Sequence, residues 1–189
     1  MTDGNQRGIL YGLGVGPGDP ELLTVKALRV LERVPVVAYV ASGGGPSLAR
    51  SIVAGYLGGG QVEIALDVPI ATDPGPARDA YGKSAAEIAG HLRDGRDVAV
   101  LCQGDPFFYG SFMYLFERLA GEHRVEVVPG VTSLTAAAAL AGMPLASRQE
   151  TLCVVPATLC EETLEARLAA NDAAAVVKVG RHFSKVRRV

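Results

Sequence analysis

The chain has 189 residues, 49% hydrophobic and 20% charged, with a formal net charge of −2. That balance excludes a disordered chain, and a chain of this length buries roughly 70% of its unfolded surface on folding. The charge gives no support to a nucleic-acid binder. No apolar run reaches the ~18 residues of a membrane span, and MTDGNQRG lacks the apolar core of a secretory leader, so a cytoplasmic protein with no membrane segment is expected. Cys102, Cys153 and Cys160 fall in no CxxC pairing and His91, His123 and His182 are scattered, which points to reduced thiols and no metal site. The charge is uneven: Lys178 to Val189 holds five Lys/Arg and no acid, leaving net −7 on the rest.

In chain order, ILYGLGV (9–15), VVAYV (36–40), VEIAL (62–66), DVAVLC (97–102) and VEVVPG (125–130) read as five buried strands. Thr24 caps a helix through Val34, with Ala27, Leu28, Leu31 and Val34 on one face. Ala85, Ile88, Ala89 and Leu92 fall at helical spacing before Gly95. Phe112 to Leu119 is a third helix, and Thr132 opens an alanine-rich fourth that stops at Gly142-Met143-Pro144. ASGGGPS (41–47) and DPGPARD (73–79) read as loops. TLCVVPA (151–157), a helix near Glu161 to Ala170, and AAVVKVG (174–180) follow. The expected fold is α/β: a five-stranded, mostly parallel N-terminal sheet with helices on both faces (1–143), then an incomplete second α/β domain (144–189).

Three strands end in unusual loops: GVGPGDP after the first, QGDPFFYGS after the fourth and PGVTS after the fifth. Parallel strands put these loops on one sheet edge, where ligands of open α/β sheets bind. Gly12, Gly14 and Gly16 give GxGxG, but Pro17 and Pro20 remove amide donors and interrupt the helix start that a dinucleotide fingerprint needs. No GxxxxGK[ST] is present. The loops offer backbone groups, Asp19 and Asp105, hydroxyls and aromatic surface, but few cations. That set suits an adenine, a ribose and a cationic centre without phosphates.

At these residues the sequence resembles the tetrapyrrole methylase family, the class III S-adenosylmethionine-dependent methyltransferases, from Leu10 to about Val186. GVGPGDPELLT, GDPFFYGS and VVPGVTS resemble the family's three cofactor loops. LCQGDPFFYGSFMYLFERL (101–119) and VVKVGRHFSKV (176–186) resemble the branch that methylates carbon 20 of precorrin-2, or its cobalt form, in cobalamin biosynthesis. The resemblance implies a homodimer with S-adenosylmethionine between two domains. It places cofactor contacts at Pro17, Gln103, Gly104, Asp105, Thr132, Ser133 and Val179. The precorrin carries eight carboxylates, so Arg148, Arg181, His182 and Lys185 are candidate substrate cations, with Tyr109 a further substrate contact. Asp19, Tyr109 and His182 are candidates to take the proton released from the methylated carbon. Relatives acting on uroporphyrinogen, a later precorrin or a protein side chain, and a non-enzymatic nucleotide-binding domain, are the rival readings.

Overall fold

A computed structural model of the chain describes residues 7–69 and 74–189. The chain divides into two compact units, Met1–Ser133 and Leu134–Val189. The first begins with β1 (Leu10–Gly14), α1 (Val25–Arg33), β2 (Val36–Val40), α2 (Leu48–Ile52) and β3 (Val62–Leu66). It continues with α3 (Pro74–Arg93), β4 (Val98–Cys102), α4 (Phe112–Leu119) and β5 (Val125–Val128). Next, α5 (Ser133–Ala141) spans the division between the units. The second unit holds β6 (Leu152–Pro156), α6 (Glu161–Ala169), β7 (Ala173–Val177) and α7 (Phe183–Arg188).

All pairings in the first sheet are parallel, in the order β3-β2-β4-β1-β5. Its register puts Leu10 opposite Val98 and Val125, and the backbone N–H of Ile9 donates to Asp97 Oδ1 at 2.7 Å where the ladder begins. Each buried strand supplies both faces, because successive side chains point opposite ways. Leu10, Val98, Val100 and Cys102 meet α3 and α4 on one face. Tyr11, Leu13, Ala99 and Leu101 meet α1 and α2 on the other. Burial differs from the expected five buried strands, since β3 and β5 lie at the edges. Val62, Glu63 and Ala65 of β3 are exposed, and only Val128 of β5 is fully buried.

Thr24 caps α1 as expected, its Oγ1 accepting from the Ala27 N–H at 3.1 Å. The alanine-rich α5 ends where Gly142 takes φ +64 and the Met143 N–H bonds back to Ala138 O at 3.0 Å. Three elements differ from expectation, the first being α2, a short helix that no expected element covers. The expected loop 73–79 is helical from Pro74 onward (Asp73 lies outside the described residues), because proline is tolerated in a first helical turn whose amides have no partner. The run after β7 also turns helical, as a 3-10 turn at Gly180–His182 and then α7. In the second unit β6 and β7 pair in parallel, with Val155, Ala157 and Leu164 buried.

Phe112 is fully buried, and a Cβ on Gly12 would come within 2.4 Å of its ring. The absent side chain at Gly12 is therefore what seats α4 on β1. Phe112→Ala should lower the unfolding free energy by about 3–5 kcal/mol, read from urea denaturation of the purified variant.

Candidate functional site

The three glycine-bearing loops leave the carboxyl ends of β4, β1 and β5, which are adjacent in the sheet. Two backbone bonds join the first pair: the Gly104 N–H donates to Gly16 O at 2.7 Å, and the Gly16 N–H donates to Gly104 O at 3.4 Å. The third loop is joined by a side chain. Asp105 Oδ2 accepts from the Gly130 N–H at 3.0 Å, while its Oδ1 accepts from the Phe107 N–H at 2.8 Å. The glycines let the backbones touch: a Cβ on Gly130 would lie 2.0 Å from Gly104 O, and one on Gly14 would lie 2.5 Å from the Gly130 nitrogen. Gly104 has φ +71, a conformation costly for any residue with a side chain.

No Lys or Arg occurs in residues 14–24, 103–111 or 129–133. An edge without cations, with two prolines in its first loop, does not match a phosphate or pyrophosphate. Backbone groups, the exposed Gln103 amide and the hydroxyls of Thr132 and Ser133 fit a phosphate-free nucleoside carrying a positive centre. Asp19 caps the turn at Pro20–Leu22, its Oδ1 accepting from the Glu21 N–H at 2.9 Å. Burial, with the Asp105 charge second, pushes the Cys102 thiol up to about 12, so it stays protonated and is no nucleophile at neutral pH.

The loop aromatics divide into two roles. Phe107 packs edge-on against Phe116 at 5.1 Å and so belongs to the cover of α4. Phe108 and Tyr109 form their own edge-to-face pair at 5.2 Å, both partly exposed at the sheet edge. Tyr109 has φ +54, and its neighbour Gly110 has no room for a side chain, a Cβ there lying 2.4 Å from Pro106 O. Tyr109 and Gln103 also line a pocket with Val40, Ser47 and Leu48. None of these last three was expected as a site residue. Ser47 as an N-cap two residues after a glycine run was the available signal.

In the second unit, Val179, Arg181 and His182 sit in the turn after the carboxyl end of β7, where Lys178 has φ +56. Arg181 forms no ion pair among the described residues, whereas Arg188 donates from Nε and Nη2 to the two carboxylate oxygens of Glu161, at 3.0 and 2.8 Å. Lys185 is likewise engaged, with Leu159 O. Arg148 lies at the other end of this small sheet, before β6, beside Glu150 and Asp172. Five residues of strand separate it from the Arg181 edge, about 16 Å. The structure thus groups Arg181 with His182 and does not bring Arg148 to them.

The glycine clasp stands at the carboxyl edge of a parallel α/β sheet, the place where open sheets of this kind bind small ligands. The chain belongs to the tetrapyrrole (corrin/porphyrin) methylases, whose family profile matches residues 9–189. It is 46% identical to a Sinorhizobium protein named precorrin-2 C(20)-methyltransferase, across 96% of this chain and 77% of that one. It is 34% identical to the cobalt-precorrin-2 C(20)-methyltransferase of Salmonella typhimurium, across 95% and 76%. A 46% match to the cobalamin biosynthesis protein CobIJ of Mycobacterium tuberculosis spans only 37% of that protein. Among solved structures, a cobalt precorrin-4 methyltransferase superposes with a TM-score of 0.76 at 26% identity, covering 100% of this chain and 76% of that one. The uroporphyrin-III C-methyltransferase of Thermus thermophilus, solved with S-adenosyl homocysteine, gives 0.54 at 29% identity, covering 81% and 57%.

Asp105→Ala removes the link between the second and third loops and leaves the part-buried Gly130 amide without its acceptor. The variant should lose about 1–3 kcal/mol of stability in denaturant titration. Amide exchange at Gly130 should accelerate while the β4 core amides stay protected.

Proposed function

We propose that this chain transfers a methyl group from S-adenosylmethionine to carbon 20 of precorrin-2, or of its cobalt form, during corrin-ring biosynthesis. The observation that carries the reading is the cation-free clasp of Gly16, Gly104, Asp105 and Gly130 at the carboxyl edge of the sheet. It stands in a chain 46% identical to a protein named for that reaction. The higher identity to the precorrin-2 enzyme than to the 34% cobalt-precorrin-2 relative favours the metal-free substrate. Pro17, Gln103, Gly104, Asp105, Thr132, Ser133 and Val179 hold the cofactor. When bound, S-adenosylmethionine supplies a methyl group already activated on a sulfonium, so no covalent nucleophile is required of the protein.

The protein's part is position. A clasp closed by backbone bonds and one carboxylate holds its loops still, and fixing two reactants in attack geometry contributes ~7–11 kcal/mol to such a reaction. Arg181 and His182 meet carboxylates of the macrocycle; Tyr109 contacts its flat ring. Arg148 is assigned a weaker part in substrate binding, since Asp172 and Glu150 surround it. Arg181→Ala should raise the KM for the tetrapyrrole about tenfold, equivalent to ~1.4 kcal/mol, and leave cofactor affinity unchanged. Carbon NMR of the product formed with methyl-labelled cofactor should show a single label at carbon 20. A label at another ring carbon would assign the chain to another branch of the family.

The protein is assigned to the cytoplasm, a reading supported by three free cysteines. Among the described residues no helix is long and apolar enough to cross a membrane. A homodimer is the proposed assembly, supported by large apolar side chains left in water: Leu140 is 92% and Met143 68% exposed. Sedimentation equilibrium should give twice the chain mass, and a monomer at every concentration would overturn the assignment.

A further inference from the structure

The end of the first sheet opposite the clasp holds polar atoms that the fold leaves unpaired. Among the described residues, the buried side-chain nitrogens and oxygens without a hydrogen-bond partner are His91 Nδ1 and both ring nitrogens of His123. Native proteins pair nearly all such atoms, so an imidazole with neither nitrogen bonded calls for a reason. His91 stands in the last turn of α3 and His123 in the turn after α4. The two helices pack side by side, with the Tyr81 and Tyr114 rings 4.9 Å apart. Both run from the carboxyl edge to the amino edge, since α3 leads into β4 and α4 into β5 of a parallel sheet. Their ends therefore share the amino side. His91 is half-buried there, and His123 is enclosed, only 7% exposed.

The chain enters β1 at this same place. The Gly8 N–H donates to Leu92 O at 2.8 Å, the Leu10 N–H to Arg124 O at 3.0 Å, and Arg7 Nη1 to Glu122 O at 3.2 Å. Residues 7–10 are thus tied to the end of α3 and to the turn that carries His123. The fit has no slack, because a Cβ on Gly8 would lie 2.1 Å from Arg96 O. The charges acting on the imidazole come from each of these elements: Arg7 from the entering strand, Arg93 from α3 and Glu122 from its own turn. Of the other charged groups nearby, Arg124 is exposed, Arg96 pairs with Asp94, and Asp97 holds the Ile9 amide. Two guanidiniums against one carboxylate disfavour a bound metal cation here. Burial, with Arg7 and Arg93 adding to it and Glu122 opposing, holds the imidazole below its ordinary value. We infer that His123 is an acid-sensitive latch, which closes the entry of β1 when neutral and releases residues 7–10 when it takes up a proton. An imidazolium has two N–H groups that must be bonded, and this enclosure offers neither an acceptor, so the charged ring must reach water. The release is local, since all three ties lie at the amino end. A base whose folded value is lowered costs nothing at and above neutral pH. Stability is lost as pH falls through the ordinary imidazole value of about 6.5 toward the folded value.

The test uses the full chain and the variants His123→Leu, His91→Gln and Asp97→Asn. Amide protection, corrected for the intrinsic pH dependence of exchange, is compared by NMR at about pH 8 and about pH 5.5, on either side of the imidazole value. In the wild type, protection at Gly8 and Leu10 should fall about fivefold at the lower pH while Val100 in β4 stays unchanged. His123→Leu should abolish the fall. His91→Gln and Asp97→Asn should retain it, which separates the latch from the half-buried histidine and from the carboxylate on the Ile9 amide. The His123 ring itself, followed by its imidazole resonances in the wild type, should titrate with a midpoint below about 6.5. A midpoint at or above that value, or a fall in protection that survives in His123→Leu, would overturn the latch. A fall lost in Asp97→Asn but kept in His123→Leu would assign the response to the carboxylate instead. Should His123→Leu fail to fold, the wild-type ring titration decides alone.

Discussion

The Asp105 carboxylate is the constraint on which the functional edge depends. One oxygen organises its own loop through the Phe107 amide, and the other reaches across to Gly130 on the loop after β5. With the Gly16–Gly104 backbone pair, this ties three loops from three strands into one unit. The glycines are needed because the backbones approach too closely for any side chain between them. The same requirement fits the lack of Lys and Arg in these loops, since backbones packed this closely leave little room for long cationic side chains.

From that constraint the chemistry follows. An enzyme that must hydrolyse or phosphorylate needs a nucleophile, a metal or cations at the reacting centre. Here the thiol nearest the edge, Cys102, is held protonated by burial, and Asp19 caps a turn. What remains is a rigid frame of amides and hydroxyls beside partly exposed aromatics. Such a frame suits group transfer in which the donor arrives already activated, and it places the burden of catalysis on geometry. The strained Tyr109 fits this account, since the turn that Asp105 organises is also the turn that carries its ring.

Much of the fold was legible because its signals are local. The strand at 36–40 is an unbroken apolar run rich in valine, and Thr24 stands where a helix cap belongs. Glycine and proline likewise marked the three site loops. Other features were hidden for physical reasons. Pro-Gly-Pro at 74–76 reads as a turn, yet proline fits a first helical turn, so α3 begins earlier than its apolar spacing implies. Edge position is a property of strand order, which local pattern does not give; the half-exposed β3 follows from it. The role of Asp105 was legible only as a site residue, because its partner Gly130 lies 25 residues away. The basic run after β7 could be counted, but the pairing of Arg188 with Glu161, which withdraws it from any ligand, required the folded unit.

The central claim is that the glycine clasp receives a ligand through backbone and neutral side-chain groups, without phosphate-type ion pairs. Calorimetric titration of S-adenosyl homocysteine at two ionic strengths tests it directly, because screening weakens contacts between exposed charges and leaves neutral ones almost untouched. Between ~0.05 and ~0.5 M salt, the account predicts an affinity change of less than about threefold, with Asp105→Ala weakening binding at both. A strongly salt-dependent affinity, or full affinity in the Asp105→Ala variant, would contradict it.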